Sequence, residues 1–249
     1  MEGNGAEQAV VLQDLRKSFG RQTVLNGIDL KIARGETLAV LGRSGTGKSV
    51  LLKLIIGLQK SDSGSIRVHG KEISGLSLEE LNQIRKKVGF LFQEGALYDS
   101  LSIEENVAFP LARNTRMSRA EQKDRVRQLL SSVGMEKDLG KMPSQISGGM
   151  KKRVGLARAL ALEPDIMLFD EPTAGLDPIT SGEINDLIVR LQKEQKMTSI
   201  VVTHDLHSAK TISDRVALLH EGDILIEGTF DDLQKSEDSF VSQFLNQSS

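Results

Sequence analysis

The sequence predicts an α/β chain: a mostly parallel sheet with helices on both faces, an antiparallel β layer ahead of it, and a helical insertion. Three observations lead there. The short apolar runs TLAVLG at 37–42, IMLFD at 166–170, SIVVT at 199–203 and RVALLH at 215–220 are separated by helical patterns, as strands buried on both faces are. The segments VVLQDLRKSF at 10–19 and TVLNGIDLKI at 23–32 instead alternate between apolar and polar, the mark of half-buried strands. Between 94 and 158 the pattern becomes helical.

Taken in order, the two alternating strands are joined by Gly20-Arg21-Gln22, a hairpin by composition. TLAVLG runs into a glycine loop and a helix at 48–57, and GSIRVHG and KVGFLFQ supply two more strands. In the helical stretch, Ser102-x-x-Glu105 and Ser118-x-x-Glu121 each fit a capping box, where serine and glutamate side chains satisfy each other's free backbone N–H groups. The expected division is a loose tail at 1–9 and one domain at 10–235, with a core at 10–93 and 159–235 and a helical subdomain at 94–158. SEDSFVSQFLNQSS at 236–249 reads as a tail or one short amphipathic helix, and no internal repeat is present.

The 249 residues suffice for a sizeable core. A net charge of −2 without a long run of like charge argues against a nucleic-acid partner. With no cysteine, disulfides, thiolate metal sites and a cysteine nucleophile are excluded, and a reducing compartment is compatible. MEGNGAEQAV has neither the basic start nor the apolar centre of a signal peptide. VLLKLIIGL at 50–58 is interrupted by Lys53 and falls far short of the roughly 20 residues that span a bilayer, so the chain is not expected to cross a membrane alone.

GRSGTGKS matches G-x-x-x-x-G-K-[ST] between a predicted strand and a predicted helix. Such a phosphate loop uses Gly42, Arg43, Ser44, Gly45, Thr46, Gly47, Lys48, Ser49 and Val50 to wrap backbone N–H groups round a nucleotide's phosphates. Lys48 would reach the β- and γ-phosphates and Ser49 would ligate Mg²⁺, which makes ATP and Mg²⁺ the expected ligands. IMLFDE places Asp170 at the end of a buried strand, where α/β sheets bind ligands, with Glu171 next to it. Asp170 would hold Mg²⁺ through its water shell while Glu171 polarises the attacking water. His204 ends SIVVT on the same sheet edge, within reach of a γ-phosphate, whereas His69, His207 and His220 read as structural or exposed.

The order of these motifs resembles the ATP-binding cassette family over residues 10 to 235. FLFQ supplies Gln93 for the Q-loop, SGGM the signature turn, IMLFDE the Walker B strand, AGLD the D-loop through Asp177, and VVTHD the switch His204. The resemblance implies a RecA-like P-loop fold and a head-to-tail homodimer in which one copy's signature turn closes over ATP held by the other. Ser147, Gly148 and Gly149 would then begin a helix aimed at the partner's γ-phosphate, and Gln93 would sense Mg²⁺ and the attacking water. It further implies an integral membrane permease as partner and a peripheral place on the cytoplasmic face of the inner membrane. Phe19 occupies the position where many family members stack an aromatic on adenine; by alternation it is equally a core-facing strand residue.

The chain departs from the family at Met150, where many members have Gln. Loss of that amide is compatible with packing against a neighbour or with altered nucleotide contact. Together with GALYDSLSIEENVAFPL at 95–111, SGGM resembles the MlaF-like branch of Mla/Mce-type lipid-transport ATPases. That implies phospholipid or another apolar substrate moved between envelope membranes, and an Mce-type substrate-binding protein as a further partner. The alternatives are an importer for another substrate and a cassette regulating an envelope complex such as a cell-division system. DNA-repair and ribosome-associated relatives usually carry a long coiled coil or a second cassette, and this sequence shows neither. A binding module with dead chemistry is disfavoured by Glu171 and His204. Leu97 and Tyr98 in the loop after Gln93 either receive a permease helix or tuck into the helical subdomain.

Overall fold

The computed structural model describes residues 7–247, so positions 1–6 of the expected N-terminal tail and the last two residues of the C-terminal one lie outside the described residues. The tail is shorter than expected: β1 (Gln8–Phe19) already includes Gln8 and buries Ala9. It pairs antiparallel with β2 (Gln22–Ala33), Phe19 facing Gln22, so the turn is the two residues Gly20-Arg21 rather than three. Gly20 adopts φ 60°, which suits the first position of a two-residue hairpin turn.

The chain continues through β3 (Thr37–Leu41), α1 (Lys48–Ile55), β4 (Ser63–Val68), β5 (Lys71–Glu72), α2 (Leu78–Arg85) and β6 (Val88–Leu91). A helical stretch follows: α3 (Ile103–Asn114), α4 (Arg119–Ser132), a short 3₁₀ turn, and α5 (Gly148–Ala159). Then come β7 (Ile166–Asp170), α6 (Pro178–Gln195), β8 (Thr198–Thr203), α7 (Leu206–Ile212), β9 (Arg215–His220), β10 (Asp223–Gly228), α8 (Phe230–Gln234) and α9 (Ser239–Gln247).

These strands form two sheets. One is antiparallel with order β2-β1-β4-β5; the other has order β10-β9-β3-β8-β7-β6, parallel except for its edge strand β10. The alternation of β7 shows how the second sheet is covered. Ile166 and Leu168 enter an apolar cluster shared with the antiparallel layer and α1, while Met167 and Phe169 enter one built from α3, α4, α5 and α6. A third cluster packs α7, α8 and α9 on β3 and β9, burying Val241 and Phe244 of the C-terminal helix. That helix is therefore part of the folded body. Every strand of the parallel set ends at one edge, and the loops leaving that edge carry the chemistry.

Ser102 and Ser118 cap α3 and α4, each in a reciprocal box with Glu105 and Glu121. Buried Asn106 of α3 accepts from the backbone N–H of Tyr98 and donates to the carbonyls of Tyr98, Leu101 and Ser102, which pins the preceding loop. Leu97 packs into the helical cluster, so the subdomain-core reading holds for it. Tyr98 is instead 47% exposed, with its ring against Phe109.

Candidate nucleotide site and a second glycine turn

The strand β3 is buried at all five positions and ends at Leu41; at Gly42 the chain leaves the sheet and loops into α1. Gly47, at the cap position of α1, has φ 102°, and a Cβ there would lie 2.6 Å from Val24 of β2. No other residue fits both the left-handed backbone and the space. The start of α1 has no side-chain cap and no acidic residue in its first turn. Its N–H groups therefore form an acid-free, donor-rich end suited to an anion.

Lys48 is 5% exposed and turns back along the loop. Its Nζ donates to the carbonyls of Gly42 (2.8 Å) and Arg43 (3.1 Å) and pairs with Glu171 Oε1 at 3.2 Å. Ser49 Oγ donates to Asp170 Oδ1 at 2.6 Å across 121 positions of sequence. Glu171 in turn meets His204, with Oε2 2.9 Å from Nδ1. Glu171 sits in the left-handed region at φ 47°, a conformation that costs a non-glycine residue about 1–3 kcal/mol and that its neighbours must hold. The backbone carbonyls of Glu171 and Gln93 are both met by Lys152, a buried lysine of α5.

These groups surround a cleft of about 420 Å³ lined by Phe19, Ser44, Gly45, Gly47, Lys48, Ser49, Val50, Gln93, Glu171 and His204. Gln22 and Val24 of β2 complete it, two residues that alternation placed on a strand but did not mark as functional. Phe19 is 47% exposed at the rim, with Lys17 Nζ 5.2 Å from its ring centre. The core-facing reading of Phe19 is thus wrong: it lies at the end of β1, beyond the strands that would cover it. Arg43 lies apart from the lining, its guanidinium over the ring of Phe240 in α9. Thr46 turns its hydroxyl onto the Arg43 carbonyl at 2.9 Å and braces the loop.

His69 and His220 make local contacts outside the cleft. His69 pairs with Asp165 at 3.0 Å, and His220 stacks on Phe240 with ring centres 3.5 Å apart.

Ser147, Gly148 and Gly149 do not line the cleft. Ser147 caps α5 by accepting from the Met150 N–H at 3.3 Å, and the first turn of α5, like that of α1, contains no acid. Gly149 is buried against the start of α6, where an added Cβ would fall 2.5 Å from Thr180 Cγ2. Gly148 is exposed, and a Cβ there would make ordinary contact with Leu176 at 3.4 Å. Asp177 caps α6, accepting from the N–H groups of Ile179 and Thr180 and from the Thr180 hydroxyl at 2.6 Å. The Thr180 hydroxyl bond, with those N–H groups, holds its carboxyl below the ordinary aspartate range. Met150 is half-buried against the helical cluster, as the packing alternative expects.

A model of the ABC transporter family matches residues 25–174, from β2 past the Walker B strand. The chain belongs to the ABC transporter family. Among curated relatives it is 42% identical over 238 residues to the "Probable ribonucleotide transport ATP-binding protein mkl" of Mycobacterium leprae, covering 96% of this chain and 69% of the relative. It is 39% identical to the "Intermembrane phospholipid transport system ATP-binding protein MlaF" of Haemophilus influenzae, over 96% of this chain and 90% of that one. Among solved structures it is similar to a dimeric post-hydrolysis state of the ATP-binding cassette MJ0796 bound to ADP and Pi. That match has TM-score 0.82 and 35% identity, over 89% of this chain and 98% of the other. This ABC chain is accordingly an ATPase with the P-loop cassette fold. Among the described residues no helix is long and apolar enough to cross a membrane.

Proposed function

We propose that the chain is the ATP-hydrolysing subunit of a bacterial lipid transporter, working as a homodimer beneath a membrane permease on the cytoplasmic face of the inner membrane. The observation that carries the catalytic half is the Lys48–Glu171–His204 cluster beside the phosphate loop. The backbone N–H groups of 43–49 bind the phosphates, Lys48 supplies the fixed charge, and Phe19 at the rim offers its face to the base. Glu171 takes the proton of the attacking water, and His204, hydrogen-bonded to it, orients the carboxylate toward that water. Ser49 Oγ and Asp170 Oδ1 are already adjacent, two hard oxygen donors with Gln93 on the same cleft, a set that suits Mg²⁺. When bound, that ion would neutralise charge on the phosphates.

The second glycine turn belongs to the other half of the mechanism. An acid-free helix start outside the cleft of its own chain fits the γ-phosphate held by a second copy, and the similar MJ0796 cassette is dimeric with ADP and Pi bound. The groove beside Tyr98, with Phe92, Phe109, Pro110 and Arg158 in its wall, is the surface we assign to the permease.

The lipid assignment is supported by two things: likeness to MlaF over nearly its whole length, and the resemblance of SGGM and of residues 95–111 to the MlaF-like branch. The substrate is testable directly. The chain is purified with its membrane partners from its native host, and the small molecules that accompany the complex are measured by mass spectrometry. Phospholipid enriched over the bulk membrane composition supports the reading. Enrichment of a ribonucleotide or amino acid instead, or lipid in bulk proportions, refutes it.

A further inference from the structure

Lys152 lies mid-way along α5 with 4% of its surface exposed. Its Nζ donates to the backbone carbonyl of Gln93 and to that of Glu171, the latter at 3.0 Å. Lysine is almost never fully buried unless its charge is met, and an apolar side chain would fill the same space without the desolvation cost. Burial here lowers its pKa, opposed by the nearby carboxylates of Asp170, Glu171 and Glu94.

The two carbonyls belong to the two segments that bring Gln93 and Glu171 to the cleft, one leaving β6 and the other β7. Glu171 is the strained residue of the site: its N–H is held by Val202 at 2.9 Å, and its carbonyl is shared by the Ala174 N–H at 3.2 Å and Lys152. The segment after Gln93 is tied to the same helix again, since Arg158 donates to the carbonyls of Gly95 and Ala96 at 2.8 Å each. The first turn of α5 is the second glycine turn. One helix therefore joins the surface that faces outward to both sides of its own cleft.

We propose that Lys152 is a positioning residue for hydrolysis, fixing Gln93 and Glu171 to the helix that carries the Ser147-Gly148-Gly149 turn, so that docking of that turn on a second copy sets the geometry of Glu171. This rests on the reading of Glu171 as the base. Lys152 lies outside the lining of the cleft and acts through the backbone of two residues that line it.

The test compares full-length Lys152→Met, Lys152→Arg, Glu171→Gln and the Lys152→Met/Glu171→Gln pair by steady-state phosphate release, by equilibrium binding of a fluorescent ATP analogue, and by melting temperature. Lys152→Met should lower kcat roughly 10- to 100-fold, the worth of a hydrogen bond to a charged group. Affinity for the analogue should stay within about threefold, since the phosphate loop is untouched. Lys152→Arg should restore most of kcat, and the double variant should be no slower than Glu171→Gln alone. If Lys152→Met does not fold, Lys152→Gln carries the same comparison of kcat with binding. A kcat within twofold of the parent, a parallel loss of kcat and affinity that Arg does not rescue, or additive losses in the pair would each overturn the proposal. Should Glu171→Gln itself keep parental hydrolysis, the assignment of the base fails rather than the role of Lys152 alone.

Discussion

Two helix starts in this molecule look alike in sequence and differ in what the fold does with them. α1 and α5 both follow a glycine turn, and among the described α-helices they are the two that begin without a carboxylate. α2, α3, α4 and α8 have acids in their first turns, and α6, α7 and α9 have Asp177, Asp205 and Asp238 accepting from their leading N–H groups. Elsewhere the chain satisfies the positive end of the helix with its own negative charge; at these two it leaves the end to something else. The start of α1 is enclosed by Lys48, Glu171 and His204 in one cleft, while Ser147 and Gly148 at the start of α5 are exposed and lie outside that cleft. A glycine turn before an acid-free helix start thus announces an anion site without saying whose anion it is.

The largest expected effect tests the enclosed end. Glu171→Gln should slow hydrolysis by roughly 10²–10⁴, the usual worth of a positioned general base, while keeping ATP binding. Phosphate release measures the first and light scattering with Mg-ATP the second, since a closed dimer should accumulate. A variant that stays monomeric with ATP bound would leave the start of α5 without its assigned ligand.

Lys48→Ala comes next. Removing a fixed charge at the phosphates should cost about 2.7–4 kcal/mol, or roughly a hundredfold to a thousandfold in turnover, and should weaken nucleotide binding as well. Activity above a tenth of the parent would place the main phosphate contact elsewhere.

The two signature glycines separate the outward end from its packing. Gly149→Ala drives a methyl into Thr180, whose hydroxyl is tied to Asp177, and should destabilise by about 1–3 kcal/mol, or roughly 2–4 °C in melting temperature for each kcal/mol. Gly148→Ala has room within the chain and gains helix propensity, so its melting temperature should not fall. It should nevertheless lose ATPase activity, because the added methyl stands where the partner's phosphate approaches. Full activity in Gly148→Ala would break the comparison at its centre.

Met150→Gln gives a smaller effect. Exchanging a half-buried apolar side chain for an amide with no evident partner should cost about 1–3 kcal/mol, read by thermal melting. An unchanged melting temperature with tighter ATP binding would instead make position 150 part of the nucleotide contact.

The smallest effect concerns acid. Hydrogen bonds from their serine or threonine partners and nearby backbone N–H groups hold Glu80, Glu105, Glu121, Asp177 and Asp232 below the ordinary carboxylate range. Groups with depressed folded-state pKa values contribute stability that is present above the unfolded pKa and lost as pH falls through the folded one. Below about pH 4 the first turns of α2, α3, α4, α6 and α8 should lose protection from amide exchange. The starts of α1 and α5 have no carboxylate to lose and should not change in step.

The legible part of this molecule was the part written in consecutive residues. Buried apolar runs gave the parallel strands, the Ser-x-x-Glu spacing gave the starts of α3 and α4, and GRSGTGKS followed by IMLFDE marked both walls of the cleft. β10 was missed because DILIEG is a half-exposed edge strand whose polar positions read as loop, and α2 because its helix has one buried residue, Ile84.

Sequence alone pointed to the family, the order of the buried strands and the loops that carry the motifs, and the residue types available for phosphate chemistry, because each depends on neighbours a few positions apart. Tertiary structure decided what those residues meet. Ser49 finds Asp170 across 121 positions, Phe19 is left at a rim rather than in the core, Leu97 goes inward while Tyr98 stays out, and Lys152 is buried between two loops from different strands. Pattern along a chain records which face of an element is apolar. It does not record which elements cover that face, and burial and partner choice follow from the covering.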